Sequence, residues 1–381
     1  MKEGWTYRKL GNFIKEYSVR DKGQGFPVYS VTNTRGFCQE FFGKNVASAD
    51  TSNYKVVPRG CFAYNPSRIN VGSVACQDQE DYVSVSPLYV VFSVSPALRH
   101  DYLLYYIKSN YAMTYINALA RGAVRNNLRL STLKEFDIPL PSVDEQKQIV
   151  SELDLLSDVI EKQKVQIEEL DKLAQSTFYD MFGDPSTNEK GWDFHLLGDL
   201  SNKITDGVHA KPVYVDNGMP FISVVNINKG FMDFDNCKYV SQEDGEIINK
   251  RSKPEKGDIL YTKVGATYGI PALVDSDKSF CLYVSVCLIK PKHDLIDSIY
   301  LKKLMELPFI KFQADKRIKG IGVPDLHLNQ ISSFIIPLPP LALQQEYAAK
   351  IEAIEQMKAK VRQSLKESEE LFNSRMDYYF N

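Results

Sequence analysis

The 381-residue chain contains no apolar run of the roughly 18 residues or more that a membrane-crossing helix takes. Its first stretch, Met1 to Leu10, has neither the apolar core nor the small-residue cleavage site of a secretion signal, so a cytoplasmic protein with no membrane contact is expected. Cysteine is sparse: Cys38, Cys61, Cys76, Cys237, Cys281 and Cys287 form no CxxC pair and meet no histidine cluster at zinc spacing, which points to reduced, packed thiols and no metal. The histidines His100, His195, His209, His293 and His327 stand singly. A glycine-rich phosphate loop is missing, so ATP-driven work by this chain is not expected. Enzymes that methylate a base amino group carry a short Asn or Asp, Pro, Pro, aromatic motif. The nearest approach, Asn65 to Arg68, lacks the second proline and the aromatic. Acidic residues such as Asp275 and Asp277 fall in turn-like sequence. No catalytic residue and no cofactor of its own is expected of this chain.

What is present is the composition of a globular protein, 44% apolar and 25% charged, in a length that suits two or three ordinary units. The net charge of -2 argues at first against a nucleic-acid partner, which usually meets a basic surface. The charge is unevenly spread, however. Residues 1–140 hold 17 Lys and Arg against 11 Asp and Glu, and residues 141–183 hold 4 against 10. The first unit is therefore locally basic, with the acidity of that half gathered in one stretch. Residues 184–338 are balanced, 19 against 20, so there only a clustering of lysines can speak for nucleic acid.

The strongest signal is an internal repeat. Trp5, Leu10 and Gly11 match Trp192, Leu197 and Gly198 at an offset of 187 residues. Pro27, Ser30 and Val31 then match Pro220, Ser223 and Val224, and Gly60, Tyr64 and Gly72 match Gly257, Tyr261 and Gly269. From Gly122, Leu128, Leu130, Phe136, the run Ile138 to Pro141 and Gln146 onward, the partners Gly320, Leu326, Leu328, Phe334, Ile336 to Pro339 and Gln344 stand at a constant 198. Insertions thus fall in the front of the unit, while its back is rigidly kept. The front of each copy has short β-branched and aromatic runs between Gly, Asn, Asp and Pro turns, which reads as strand-rich, followed by a helical stretch.

Behind each proline run the periodicity changes. Ile149, Leu153, Leu156, Ile160, Ile167 and Leu170 recur at alternating spacings of four and three around a polar Gln163, and Ala174 and Met181 extend the stripe. The second copy, Tyr347, Ile351, Ile354, Val361, Leu365 and Phe372, is broader and is interrupted by Lys358 and Ser368. Two such seams in one chain are expected to pair with each other, as helices roughly 60 Å long at about 1.5 Å per residue.

A duplicated unit with a divergent front, an Ile-Pro-Leu-Pro segment, a glutamine five residues on and a long heptad helix ending in Phe182 to Pro185 resembles the specificity subunit of type I restriction-modification systems. The resemblance covers essentially the whole chain, and the loop Asp206 to Pro212 also looks like a recurrent loop of such proteins, whereas its counterpart around Tyr17 to Gln24 departs from the pattern. It implies an α+β fold: two strand-rich α/β target-recognition domains, 1–140 and 184–338, separated by two spacer helices, 141–183 and 339–381, that form an antiparallel coiled coil with internal two-fold pseudo-symmetry. It also implies a non-catalytic subunit that reads a two-part, asymmetric site in double-stranded DNA, binds two modification subunits, and joins restriction subunits. S-adenosylmethionine, ATP and magnesium would belong to those partners.

Bases are read by donors and acceptors that reach their edges, while basic side chains hold phosphates. The loops best supplied with such groups carry Asn33, Arg35, Asn65, Arg68, Asn70, Arg121, Arg125, Asn126, Asn127 and Arg129 in the first copy. In the second they carry His209, Lys211, Asn226, Asn228, Lys229, Lys263, Thr267, Tyr268, Lys316, Arg317 and Lys319. On the residues alone, a coiled-coil scaffold with two protein-binding heads, or a divergent methyltransferase or nuclease, remains an alternative.

Overall fold

The computed structural model describes residues 5–39, 50–120, 127–318 and 322–381. Two compact units emerge: one is discontinuous, comprising Met1–Val165 with Val361–Asn381, and the other is the continuous stretch Gln166–Lys360. Each repeat supplies one strand-rich front, and each long helix is divided between the two units. The six cysteines are free thiols, three of them buried, and among the described residues no helix is long and apolar enough to cross a membrane.

In the first unit the strands Ile14–Glu16, Val90–Val94, Phe62–Tyr64 and Val74–Cys76 form an antiparallel sheet in that order. Lys55–Pro58 pairs with Tyr82–Val85, and Ser30–Thr32 with Gly36–Cys38. The second unit repeats the plan with Ser201–Asp206, Val286–Pro291, Ile259–Thr262 and Pro271–Leu273. It adds a small sheet in which Met219–Ile222 lies between Lys238–Val240 and a parallel Cys281–Leu282. A helix pair follows each sheet, His100–Lys108 with Asn110–Ala120 and Ser298–Met305 with Pro308–Arg317. The α+β architecture with duplicated units is therefore as the sequence leads one to expect.

The proline run is where sheet, helices and spacer meet, and its chemistry explains why that segment is spaced so rigidly. Prolines give up their N–H groups, and a short extended segment has too few ladder partners for its carbonyls. Side chains supply the donors instead. The Tyr102 hydroxyl donates to Pro139 O at 2.8 Å, and Tyr300 to Pro337 O at 2.7 Å. Gln146 and Gln344, both fully buried, complete a collar. Gln146 Nε2 donates to Ala97 O (3.0 Å) and Pro141 O (3.1 Å), and its Oε1 accepts from Arg99 N (2.8 Å). Gln344 repeats this with Leu295 O (3.3 Å), Pro339 O (2.7 Å) and Asp297 N (2.9 Å). One glutamine in the first turn of each long helix thus ties helix, proline run and the loop before the helix pair together.

The long helices span Val143–Phe182 and Leu341–Phe380. Within the first unit the start of one and the end of the other run antiparallel: Arg375 bonds Glu152, and Gln163 donates to Ser364 at 2.9 Å. Ile149, Val150 and Leu153 join Met376, Tyr379 and Phe380 in a core with Tyr102, Tyr106 and Phe136. In the second unit the other halves do the same, with Tyr347, Ile351 and Ile354 facing Ala174, Phe178 and Phe182 around Tyr300 and Phe334. Phe182 lies 4.8 Å from Tyr300 and 5.2 Å from Tyr347, centroid to centroid.

The seam is graded along its length. Ile149, Leu153, Tyr347, Ile351 and Ile354 are buried, while Leu156, Ile160, Ile167, Leu170, Val361, Leu365 and Phe372 are only half-buried. Two features depart from the heptad reading. Phe178 and Phe182, not Met181, are the buried anchors of the first helix's last turns, since there the helix packs on a whole domain and not on one other helix. Lys358, which seemed to interrupt the stripe, is buried in it, with its ammonium 2.6 Å from Asp171 and 3.1 Å from Glu355.

Candidate nucleic-acid interface

In the first unit the candidate residues converge on one loop cluster. Asn33 and Arg35 are exposed in the turn joining Ser30–Thr32 to Gly36–Cys38, where Thr32 Oγ1 accepts the Arg35 N–H at 3.0 Å and Gly36 takes the left-handed conformation at φ 61°. The cluster's second loop runs from Asn65 to Asn70: Asn65 Oδ1 accepts the Ser67 N–H at 3.0 Å, Arg68 is exposed and Asn70 half-buried. Gly72, at φ 83°, ends this loop beside Asn33. Asn127 and Arg129, both exposed, are brought to the same place because Ser67 Oγ bonds Asn127 Oδ1 and the Leu128 N–H donates to Pro66 O at 3.1 Å. Arg121, Arg125 and Asn126 lie outside the described residues.

The second unit builds its cluster differently. The loop after Asp206 is welded to the neighbouring strand: Val208 N donates to Leu282 O (2.9 Å), Val284 N donates to Val208 O (3.0 Å), and a Cβ on Gly207 would stand 1.9 Å from Leu282 O. This weld presents His209 and Lys211 as exposed side chains. A second loop, Lys263 to Gly269, is bound to a third through Leu326 N to Lys263 O (2.9 Å) and Gly265 N to Pro324 O (2.9 Å).

Charges knit these loops together. Asp206, whose side chain is 4% exposed, faces Arg251 Nη2 at 2.6 Å, His209 Nε2 at 3.6 Å and Lys263 Nζ at 3.7 Å. Lys263 also reaches Asp325 at 3.5 Å. Nearby, burial pushes the Cys287 thiol pKa up, so it stays protonated and inert at neutral pH.

The remaining candidates of this unit divide into presented and engaged groups. Asn228 is half-buried, and Lys229, Thr267 and Lys316 are exposed. Tyr268 donates to Asp315 at 2.6 Å under the ammonium of Lys311, and hydrogen bonds from Lys311 and Tyr268 hold the Asp315 carboxyl below its usual range. Three candidates are turned inward. Asn226 caps its own turn, accepting from Ser223 and donating to Asp233 O and Asn236 O. Lys263 is spent on Asp206 and Asp325. Arg317 places three nitrogens on Ser333 and Gln313. Lys319 lies outside the described residues. Arg251 and Asp206 were not among the expected contacts, although Arg251 stands in the lysine-rich stretch 250–256 and Asp206 opens the loop flagged from sequence.

The two clusters share a frame and differ in its contents. Pro66 stands where Lys263 does, each carbonyl accepting the N–H of a matched leucine, Leu128 or Leu326. One scaffold therefore carries a neutral corner in the first unit and a charged one in the second. Among the described residues, no group of three or more His, Cys, Asp or Glu could hold a metal ion.

Comparison with known proteins bears on this arrangement. A family model described as the type I restriction modification DNA specificity domain matches residues 3–171 and again 189–368. The chain is 27% identical over 281 residues to the specificity subunit of the type I restriction enzyme MjaIX of Methanocaldococcus jannaschii, an alignment covering 67% of this chain and 62% of that protein. Similarity to the EcoBI specificity subunit of Escherichia coli is 24% over 268 residues, covering 64% and 56%. The alignments thus span about three-fifths of these relatives' length. Among solved structures, a chain from work on complex assembly and conformational transition of the type I R-M system matches with a TM-score of 0.61 at 18% identity, covering 100% of this chain and 98% of that one. The S subunit of a type I restriction-modification system from M. genitalium matches at 0.59 and 16%, covering 99% and 96%. At such identities these two likenesses speak for the fold.

Proposed function

This chain belongs to the type I restriction-modification DNA specificity family, and we propose that it reads a two-part, asymmetric DNA target, one part with each unit. In this reading the stretches 1–140 and 184–338 supply the recognition domains and 141–183 and 339–381 the spacer helices. The observation that supports it best is the pairing of a repeated frame with unlike loops. The collar glutamines, Gln146 and Gln344, make matching bonds, whereas the loop corners carry Pro66 in one unit and the Asp206, Lys263 and Arg251 group in the other. Equal frames with unequal donors suit two different half-sites, because base identity is read by the donor and acceptor pattern.

The chain is a non-catalytic subunit in this proposal. Two modification subunits would methylate adenine with S-adenosylmethionine, and restriction subunits would cleave with ATP and magnesium. Repetition of the unit offers two similar surfaces and so suits two modification subunits.

The test is selection of bound duplexes from a random library by the full chain, followed by the same selection after residues 1–137 are exchanged for those of a relative. One half-site should change and the other persist. Both half-sites changing together would overturn the two-unit reading, and selection of no sequence at all would overturn the function.

A further inference from the structure

Asp206 is an odd residue to find at a surface proposed to meet polyphosphate, since its charge repels phosphate. Yet it is 4% exposed and sits among two cations drawn from separate stretches of chain, Arg251 and Lys263, with the His209 ring beside them. Arg251 is the unusual member of that group. Its side chain is 52% exposed, and among the described residues only its Nη2 has a partner, the Asp206 carboxylate at 2.6 Å. Its backbone is pinned on both sides: its N–H donates to Ile248 O at 3.1 Å at the end of the helix Gln242–Asn249, and its carbonyl accepts from Lys203 Nζ at 2.5 Å. A guanidinium loses much freedom when it binds, and one already held by its backbone and one nitrogen has less to lose.

Resting on the function proposed above, we propose that Arg251 is a DNA-contacting residue of the second unit, aimed by the buried carboxylate of Asp206. The remaining N–H groups of a fixed guanidinium form a fork that matches two adjacent acceptors. On duplex DNA two groups offer them, the non-bridging oxygens of a phosphate and the O6 and N7 edge of a guanine. Lys211, exposed on the loop that Asp206 opens, extends the positive face beside it, and the exposed His209 ring adds a polar group there. Asp206 is a positioning residue in this scheme: its charge is screened by Arg251 and Lys263 before any phosphate could meet it. The first unit has Pro66 in the place of Lys263, so that cation of the group has no counterpart there.

The experiment uses the full chain, the duplex it selects from a random library, and Arg251→Met, Arg251→Lys and Asp206→Asn. Arg251→Met is expected to weaken binding about tenfold or more, the lower range for losing one bidentate contact. If the partner is a phosphate, the loss is uniform across sequences and the slope of log affinity against log salt falls by about 0.9. A guanine partner would instead leave the slope nearly unchanged and erase preference at one position of the second half-site. Asp206→Asn should produce a weaker form of the same change, because the arginine remains but is no longer aimed. Melting temperatures report folding separately, and Arg251→Lys, which keeps an ion pair to Asp206, serves if the methionine variant does not fold. Folded Arg251→Met and Arg251→Lys proteins with wild-type affinity, salt slope and base preference would overturn the inference while the function stands. A wild-type chain that selects no second half-site would overturn both.

Discussion

Replacing Gln344 with leucine isolates the collar, because the two side chains are close in volume and the change leaves almost no cavity. What goes are three hydrogen bonds, to Pro339 O, Leu295 O and Asp297 N. Each contributes roughly 1 kcal/mol net, but their former partners remain inside a site with no solvent exposure, and a buried group left unsatisfied costs about 1–3 kcal/mol. Some carbonyls will shift toward water, so a total of about 3–5 kcal/mol is expected. That is a large share of the roughly 5–15 kcal/mol that holds a domain folded. For a unit of this size, each kcal/mol moves the melting temperature by about 2–4 °C, so scanning calorimetry should show the affected transition lowered by about 6–20 °C. Gln146→Leu should act alike on the first unit, since it makes the same three bonds to the matching positions. A shift under about 3 °C in either variant would show that the glutamines do not hold the joint and that the proline carbonyls find other donors.

Gly207→Ala must push a methyl group to within 1.9 Å of Leu282 O; loss of the second half-site with the first retained is expected in library selection, along with about 3 kcal/mol or more of stability. Gly322→Ala is its control, with nothing among the described residues within 4 Å of the added carbon, and an equal loss there would refute the steric account. Lys358→Met keeps the buried stem and removes a charge whose partners, Asp171 and Glu355, are about half exposed; urea melts should place it within about 1 kcal/mol of wild type, and a loss above about 3 kcal/mol would mean that the ion pair itself holds the seam. Adding four residues after both Val165 and Lys360 lengthens each helix by about 6 Å without altering the side chains of either core. The spacer between half-sites should then grow by about two base pairs at about 3.4 Å each; selected duplexes with an unchanged spacer would show that the helices do not set it.

The parts of the fold legible in the sequence are those whose periodicity is local. The constant offset of 198 follows the collar, where Tyr102, Pro139 and Gln146 on one side and Tyr300, Pro337 and Gln344 on the other must keep their separations for the bonds to close. The heptad stripe revealed two long helices and which face of each is apolar. It could not say what covers that face. Phe178 and Phe182 fall off a two-helix seam because in the last turns the cover is Tyr300 and Tyr347 together. Lys358 read as a break because a sequence shows a charge but not the carboxylates that receive it.

For the binding face the limit is sharper. Residue types that bond to bases bond equally well to a loop's own carbonyls, so Asn226 and Arg317 qualified by chemistry and were consumed by their own fold. The exposure of loop tips such as Asn33, Arg35, His209 and Lys211 was legible because turn residues around them mark the surface. Arg251 was not, since its significance comes from a carboxylate 45 positions away in sequence. A duplicated protein adds one further constraint. Where two copies keep the same frame, a difference at an equivalent corner is not required by the frame itself, because the other copy builds that frame without it. Pro66 against Lys263 is such a difference: the backbone bond to Leu128 or Leu326 persists, while in the second copy the lysine is engaged with Asp206 and Asp325 and leaves the half-exposed Arg251 beside them to serve what that unit binds.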